Sequence, residues 1–426
     1  MRVLVVGSAG REHALAWKIA RSPRVTEVIA APGNAGMAEC ARCFPEISAT
    51  DLNGLVELAA RESIDLVVVG PEDPLAAGLS DRLREAGFAV FGPSRQAARL
   101  ESSKQFAKDF MLRHDIPTAA YQAFGDADAA VAYVKQLAGP CVVKADGLAA
   151  GKGVAMCETP EAAAAAIQEM MGDRRFGDAG DRVVIEEWMQ GEEASYYALT
   201  DGTNIVTLAA AQDHKRALDG DQGENTGGMG AYSPAPVVSE SVEKRILEEI
   251  VYPAIRGMAA EGCPYQGVLY VGLLIDETGA PRVVEFNVRF GDPETQALML
   301  QMESDLVPLL EGVAHGRLEA SESVAWADAA VCVVMASDGY PRSYEIGKPI
   351  SGLDSMADDP NVVVFHAGTG RDEDGDLLTA GGRVLGVTGR GASVREARDR
   401  SYAACEAIHF EGAHWRRDIA SRGLDR

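Results

Sequence analysis

Long apolar runs are missing from this chain. No stretch of its 426 residues approaches the roughly 18 consecutive apolar residues of a membrane-spanning helix. The opening residues, Met1-Arg2-Val3-Leu4-Val5-Val6-Gly7, are too short an apolar stretch for a secretory signal and read as a first buried strand. Cysteine is scarce and unpatterned. Cys40, Cys43, Cys141, Cys157, Cys263, Cys332 and Cys405 are odd in number and scattered, which argues against a disulfide framework and fits a reducing cytoplasm. Cys40 and Cys43 form a lone C-x-x-C with no second pair or histidines nearby, so no zinc or redox centre is expected there. Basic residues are few: 40 Lys plus Arg stand against 64 Asp plus Glu, a formal net charge of -24. Such a chain is a poor partner for nucleic acid or anionic membranes. If its substrates are phosphates, cations must be gathered locally in a site.

Hydrophobic residues make up 47% of the chain, ample for sizeable cores, and the length suggests roughly two to four domains. In the first hundred residues, 3–6, 25–30, 65–69 and 86–91 read as strands, with helices at 11–21 and 55–61. The strands run into glycine-bearing loops, such as Gly7-Ser8-Ala9-Gly10 and Gly70-Pro71-Glu72. That alternation predicts a doubly wound parallel sheet, with ligand loops gathered at the carboxyl ends of its strands. Beyond about residue 97 the pattern changes. A helix over 98–112 carries Lys104 and Lys108, a strand at 140–144 enters a glycine-rich loop, and 160–171 is a helix followed by a strand at 183–188. Residues 212–236 form a long, polar, glycine-rich stretch whose length and charge favour function. After a short polar linker at 318–323, strands at 329–336, 362–366 and 383–388 and a helix at 394–409 make a small α+β tail.

Chemistry concentrates in a few segments. If 283–290 is a strand, Glu285, Asn287 and Arg289 share one face, and Val284, Phe286, Val288 and Phe290 form the core face. The oxygens suit Mg²⁺ and the guanidinium suits a phosphate or carboxylate. Asp292 then caps a helix with Pro293 in its first turn. Alone, the same row is equally an amphipathic strand with a solvated face. The loop after Lys144 holds Gly147, Gly151, Lys152 and Gly153, where backbone N–H groups can approach phosphate oxygens. It is not a Walker A loop, because glycine follows the lysine; the alternative is a flexible hairpin. Glu186, Glu187 and Glu193 at a strand end suit an adenine amino group or ribose hydroxyls, or are simply solvated, and Trp188 reads as packing. Gly7-Ser8-Ala9-Gly10-Arg11-Glu12 lacks the dinucleotide spacing, although a phosphate at the helix N-terminus stays open; His13 reads as structural. Asp213-His214-Lys215-Arg216 and Asn225-Thr226-Gly227-Gly228-Met229-Gly230 hold an anion or form a solvated turn.

Taken together these segments resemble the phosphoribosylamine–glycine ligase family of the ATP-grasp superfamily, also called glycinamide ribonucleotide synthetases. The resemblance runs through Pro32-Gly33-Asn34-Ala35-Gly36, Leu100-Glu101-Ser102-Ser103-Lys104, Glu285-Phe286-Asn287-Val288-Arg289-Phe290-Gly291-Asp292-Pro293-Glu294, Phe365-His366-Ala367-Gly368-Thr369 and Gly381-Gly382-Arg383-Val384-Leu385. One departure is Ala9, where the family more often has glycine. The resemblance implies a multidomain α/β and α+β chain: an N-terminal doubly wound domain (1–102), an ATP-grasp domain (103–317) with a lid over about 118–190, and a C-terminal α+β domain (324–426). It implies ATP, glycine and 5-phosphoribosylamine as substrates and Mg²⁺ or Mn²⁺ as the metal, with neither nucleic-acid nor membrane partners and a monomer or weak homodimer. Glu285 and Asn287 would hold the metal. Lys104, Lys144 and the loop of Gly147, Gly151, Lys152 and Gly153 would grip ATP phosphates. Glu186 and the backbone at Glu187 and Met189 would meet adenine, and Glu193 the ribose. Arg289, Lys215 and Asp213 would act on the reacting groups. Gly10, Arg11, Glu12, Asn34, Gly70, Pro71, Glu72 and Gly228 would bind substrate. The rivals are an ATP-grasp carboxylase, which shares an E-x-N-x-R row, a nucleotide sensor with a dead site, and an NAD-dependent dehydrogenase.

Overall fold

The computed structural model describes residues 1–148, 153–172, 177–319, 323–356 and 359–424. Its N-terminal part is a five-stranded parallel sheet, ordered Arg42–Cys43, Glu27–Pro32, Arg2–Gly7, Leu66–Val69, Ala89–Phe91. Val3, Leu4, Val5 and Val6 are all fully buried. An unbroken apolar run is what a central parallel strand needs, since helices cover both its faces. Gly7 ends that strand at φ +126°, and a Cβ there would sit 2.4 Å from Glu12 Cγ, so only glycine lets the next helix, Gly10–Ala20, start so close.

Two antiparallel sheets follow. The smaller is ordered Tyr121–Phe124, Val183–Glu187, Cys141–Ala145, Val154–Cys157. It shares a small core with helices Ala127–Leu137 and Pro160–Ile167. The larger is ordered Ile205–Thr207, Glu192–Thr200, Gly267–Ile275, Pro281–Asn287. The helix expected over 98–112 is two: Arg99–Ser102 and Lys104–Arg113. Ser103 takes extended backbone between them and caps the second by accepting from the Phe106 N–H.

The stretch at 212–236 is not one loop. It contributes strands Gln212–Asp213 and Gly230–Ser233 to the sheet of the tail, which is ordered Gln212–Asp213, Gly230–Ser233, Ala329–Ala336, Arg383–Gly391, Val362–His366. Between them Arg216–Leu218 and Gln222–Asn225 form a hairpin. Helix Val394–Ala407 packs on the tail sheet. Helix Glu294–Gln301 lies at the junction, touching Gly10–Ala20 on one side and the tail sheet on the other, and all eight of its residues are buried. No described helix is long and apolar enough to cross a membrane.

Candidate active site

A cleft of about 550 Å³ draws its walls from every part of the chain: Ala9, Arg11 and Glu72 from the N-terminal loops, Lys144 and Glu186 from the small sheet, Glu285 and Asn287 from the large one, Arg383 and Arg422 from the tail. Its floor is strand Pro281–Asn287. Opposite it, Gly272 pairs with Glu285 but Leu273 pairs with Val283, so Val284 is an extra residue in a bulge. The bulge corrects the expected alternation. Val283 is the fully buried core residue, while Val284 lines the cleft beside Glu285. Phe286, Val288 and Phe290 are core, as expected. The strand stops at Asn287, so Arg289 stands on the bend after it and still faces the cleft. The expected Asp292 cap is absent: Pro293 occupies the cap position of helix Glu294–Gln301. The Asp292 carboxylate instead accepts from the Arg11 backbone N–H at 3.3 Å and Gln296 Nε2 at 2.8 Å, and lies 3.4 Å from Arg383.

Arg289 gathers acids around itself. Its guanidinium lies 2.9 Å from Glu101 and 3.2 Å from Glu72, and donates to Asn287 Oδ1 at 3.1 Å. Burial would lower its pKa, yet Glu101 and Glu72 hold it above the ordinary value. The two acids part company. Burial lifts Glu101 to about 7 despite Arg289, whereas Glu72, also pushed up by burial, is drawn down to about 2 by Arg289 and Arg11. Glu285 has no ion-pair partner within 4 Å among the described residues. Burial pushes its carboxyl up, and Lys215, Lys144, Lys104 and Arg289 together hold it below the usual value. An ionised carboxylate without a direct ion-pair partner, beside an amide oxygen that accepts one bond from Arg289 and keeps a second lone pair, fits a hard divalent cation. Two protein oxygens suffice for Mg²⁺, which takes its other ligands from phosphates and water.

On the opposite wall Glu186 is clamped between Lys108 at 2.9 Å and Lys144 at 3.0 Å. Its Oε1, though near Lys144, makes no hydrogen bond and keeps acceptor capacity. Burial lowers Lys108 to about 8 and also lowers Lys104, whose ammonium donates to the Gly147 carbonyl at 3.1 Å. Gly147, Gly153 and Met189 line the cleft; Gly151 and Lys152 lie outside the described residues. The Glu187 backbone N–H donates to the Ala120 carbonyl, and its carboxylate pairs with Arg282 at 2.8 Å. A third group joins Lys215 to Glu193 at 2.6 Å and Asp213 at 3.7 Å. Burial lifts Asp213 to about 7 against the pull of Lys215, with Glu294 and Glu193 adding repulsion.

Six expected substrate residues do not line the cleft. The Glu12 carboxylate folds back onto the Ala9 N–H and Arg11, and Gly7 and Gly70 leave the room it occupies. Asn34 is saturated: its Oδ1 accepts from Gly36 and Met37, and its Nδ2 donates to the carbonyls of Ser8 and His366. It is a clasp between loops, with nothing left for a ligand. A Cβ on Gly10 would meet Gln296 at 2.4 Å, and one on Gly228 would meet Pro293 at 2.4 Å, so both glycines are close-packing positions. Pro71 starts helix Glu72–Ala77 and so aims Glu72. Gly227 lines the cleft in place of Gly228. Ala9, at φ -89°, is in ordinary backbone and faces the cleft.

Lys108, Glu101, Glu294, Arg383 and Arg422 also line the cleft, although none of them is among the site residues expected from sequence. Lys108 lies four residues after Lys104, on the same helical face, and that spacing is a usable signal. Glu101, Glu294 and Arg383 sit inside the very segments that carried the resemblance. Nothing in the sequence marks Arg422.

Sequence models of three domains match the chain in order: the phosphoribosylglycinamide synthetase N domain over residues 1–101, its ATP-grasp (A) domain over 102–295 and its C domain over 330–422. The chain is similar to the phosphoribosylamine–glycine ligase of Xylella fastidiosa strain 9a5c, with 51% identity over 427 residues, 100% of this chain and 97% of that one. Among solved structures it resembles the phosphoribosylamine–glycine ligase of Thermotoga maritima, at TM-score 0.86 and 35% identity, covering 98% of this chain and 100% of that one. A biotin carboxylase from Campylobacter jejuni shares the fold alone, at TM-score 0.72 and 16% identity over 97% of this chain and 92% of that one. An end-to-end match in sequence and in shape leaves one assignment: the chain belongs to the phosphoribosylglycinamide synthetase family, the phosphoribosylamine–glycine ligases.

Proposed function

We infer that this chain is an ATP-dependent ligase of purine biosynthesis that joins glycine to 5-phosphoribosylamine, giving glycinamide ribonucleotide, ADP and phosphate. The identity that spans the whole chain carries this reading. In the reaction a glycine carboxylate oxygen attacks the γ-phosphorus of ATP, and ADP leaves. The amine nitrogen of phosphoribosylamine then attacks the carbonyl carbon of glycyl phosphate. The bond from that carbon to the bridging oxygen breaks, phosphate departs with the oxygen, and the nitrogen loses a proton.

The cleft supports a division of roles. Lys104 and Lys144, with the loop bearing Gly147 and Gly153, meet the ATP phosphates. Glu186 offers its free acceptor to the adenine amino group, with the backbone at Glu187 and Met189 on the base edge and Glu193 toward the ribose. Glu285 and Asn287 would hold Mg²⁺ or Mn²⁺, which when bound neutralises charge on the phosphates. Arg289, fixed by Glu72 and Glu101, faces the charge that develops on the acyl group. Asp213 and Glu294 form an acidic pocket suited to the ammonium of glycine, and Lys215 sets its charge. Arg11, Glu72 and the Ala9 backbone serve the ribosylamine end, while Glu12, Asn34, Gly10, Gly70 and Pro71 shape the loops that present them. Closure over the site would exclude water from an acyl phosphate. The reading includes a cytoplasmic location and a monomer or weak dimer. An ADP-release assay tests it: release that requires glycine and phosphoribosylamine supports it, and release driven by bicarbonate instead overturns it.

A further inference from the structure

The tail supplies two arginines to the cleft, and they differ in what they have left to give. Arg383 is engaged: its Nη1 donates to the carbonyls of Gly227 and Asp292, both at 2.7 Å, and it faces the Asp292 carboxylate. Arg422 makes one bond among the described residues, from Nη2 to Asp221 Oδ2 at 2.7 Å. The residue lines the cleft, its side chain is one-third exposed, and its other donors have no hydrogen-bond partner among the described residues.

The placement of Arg422 is built. Arg416, whose side chain is fully buried, donates to both oxygens of Asp418 at 2.7 Å, to Asp221 at 2.9 Å and to the Arg216 carbonyl at 3.1 Å. The Ala420 N–H donates to His214 Nε2 at 3.0 Å. Ala420 is fully buried and sits at φ +63°, a left-handed conformation that disfavours an alanine and persists only where its surroundings impose it. These bonds tie residues 416–420 to His214 and to the hairpin Arg216–Leu218 and Gln222–Asn225, so the segment that follows sets Arg422 in the wall of the cleft. Asp221 and Glu193 line the cleft together with Arg422. Asp221 holds the guanidinium directly, and Glu193, which Lys215 pairs at 2.6 Å, adds a weaker attraction from further off.

We propose that Arg422 is a substrate-binding residue: its guanidinium contacts an anionic oxygen of the bound nucleoside triphosphate, and His214, Arg416 and Asp221 position it. The assignment to the nucleotide, over the carboxylate of glycine, rests on the proposed function, which puts Glu193 at the nucleotide ribose. The second, positioning role explains His214, which faces the tail segment and not the cleft.

Steady-state kinetics on the full-length protein test it, with Arg422→Gln and Arg422→Lys beside wild type. Wild-type turnover that depends on glycine and phosphoribosylamine tests the proposed function by itself. With that turnover in hand, Arg422→Gln raises KM for ATP by about tenfold, the size expected for a lost charge-assisted contact. KM for glycine changes little, Tm stays within a few degrees, and Arg422→Lys recovers part of the loss. An unchanged KM for ATP, or a rise confined to KM for glycine, overturns the assignment. A fall in Tm with no kinetic change in Arg422→Lys also overturns it, since that is a purely structural role.

Discussion

The Arg289 guanidinium reaches Glu72, Glu101 and Asn287 at once through a planar fork, and a lysine ammonium is a single point that cannot span them. Arg289→Lys therefore keeps a cation in the cleft but loses its aim. The expected result is a fall in kcat of about 100-fold, the scale for removing one group that stabilises developing charge, with KM for ATP moving far less. Steady-state kinetics in both substrates measure the split, and equal losses in kcat and ATP affinity would count against the role. Asp213 gives a pH signature. Burial lifts it to about 7, so it ionises across neutrality, and only its ionised form attracts an ammonium. Accordingly kcat/KM for glycine rises with pH through about 7, and the rise disappears in Asp213→Asn. A profile that is flat in wild type, or that persists in the variant, would remove Asp213 from glycine binding.

At the scale of elements, the helix Gly10–Ala20 and strand Val362–His366 meet through two buried histidines. The His366 N–H donates to His13 Nδ1 at 2.8 Å, and a Cβ on Gly36 would collide with both rings. Burial lowers His13 to about 3 and His366 to about 4, each from 6.5. Between those values and 6.5 the unfolded chain binds more protons than the folded one. The contribution is therefore complete above about pH 6.5 and is lost as pH falls toward the folded values, at about 1.4 kcal/mol per pH unit per histidine. Thermal melts should show wild type losing more Tm than His13→Asn between about pH 7.5 and 5.5, since asparagine can still accept from the His366 N–H but does not titrate. Equal losses would contradict the clasp. The same scale shows what could be read in advance. Apolar runs in the first ninety residues announced a parallel sheet because a strand buried on both faces needs them. The floor row Glu285, Asn287, Arg289 was legible because strand alternation survives on the far side of one extra residue. The bulge itself was not, since it is a register between two strands and leaves no mark in one of them. Nor was the saturation of Asn34, whose partners lie 2 to 332 residues away.

At the scale of the molecule, the tail does not carry a complete sheet. Ala329–Ala336 pairs with Gly230–Ser233, and the buried Arg416 needs Asp221 and the Arg216 carbonyl. Residues 324–426 expressed alone should give no cooperative thermal unfolding, because that piece leaves a hydrophobic edge unpaired and a buried charge with half its partners. A sharp transition would show the tail to be autonomous. The acidic chain and its cationic cleft also belong to this scale: with a net charge of -24, lysines and arginines from three regions must converge before a triphosphate can bind. The central claim is that glycine is activated in that cleft as an acyl phosphate. Turnover with glycine labelled by ¹⁸O in its carboxylate tests this most directly. The account predicts one labelled oxygen in each phosphate released alongside glycinamide ribonucleotide; unlabelled phosphate from the same turnover would contradict it.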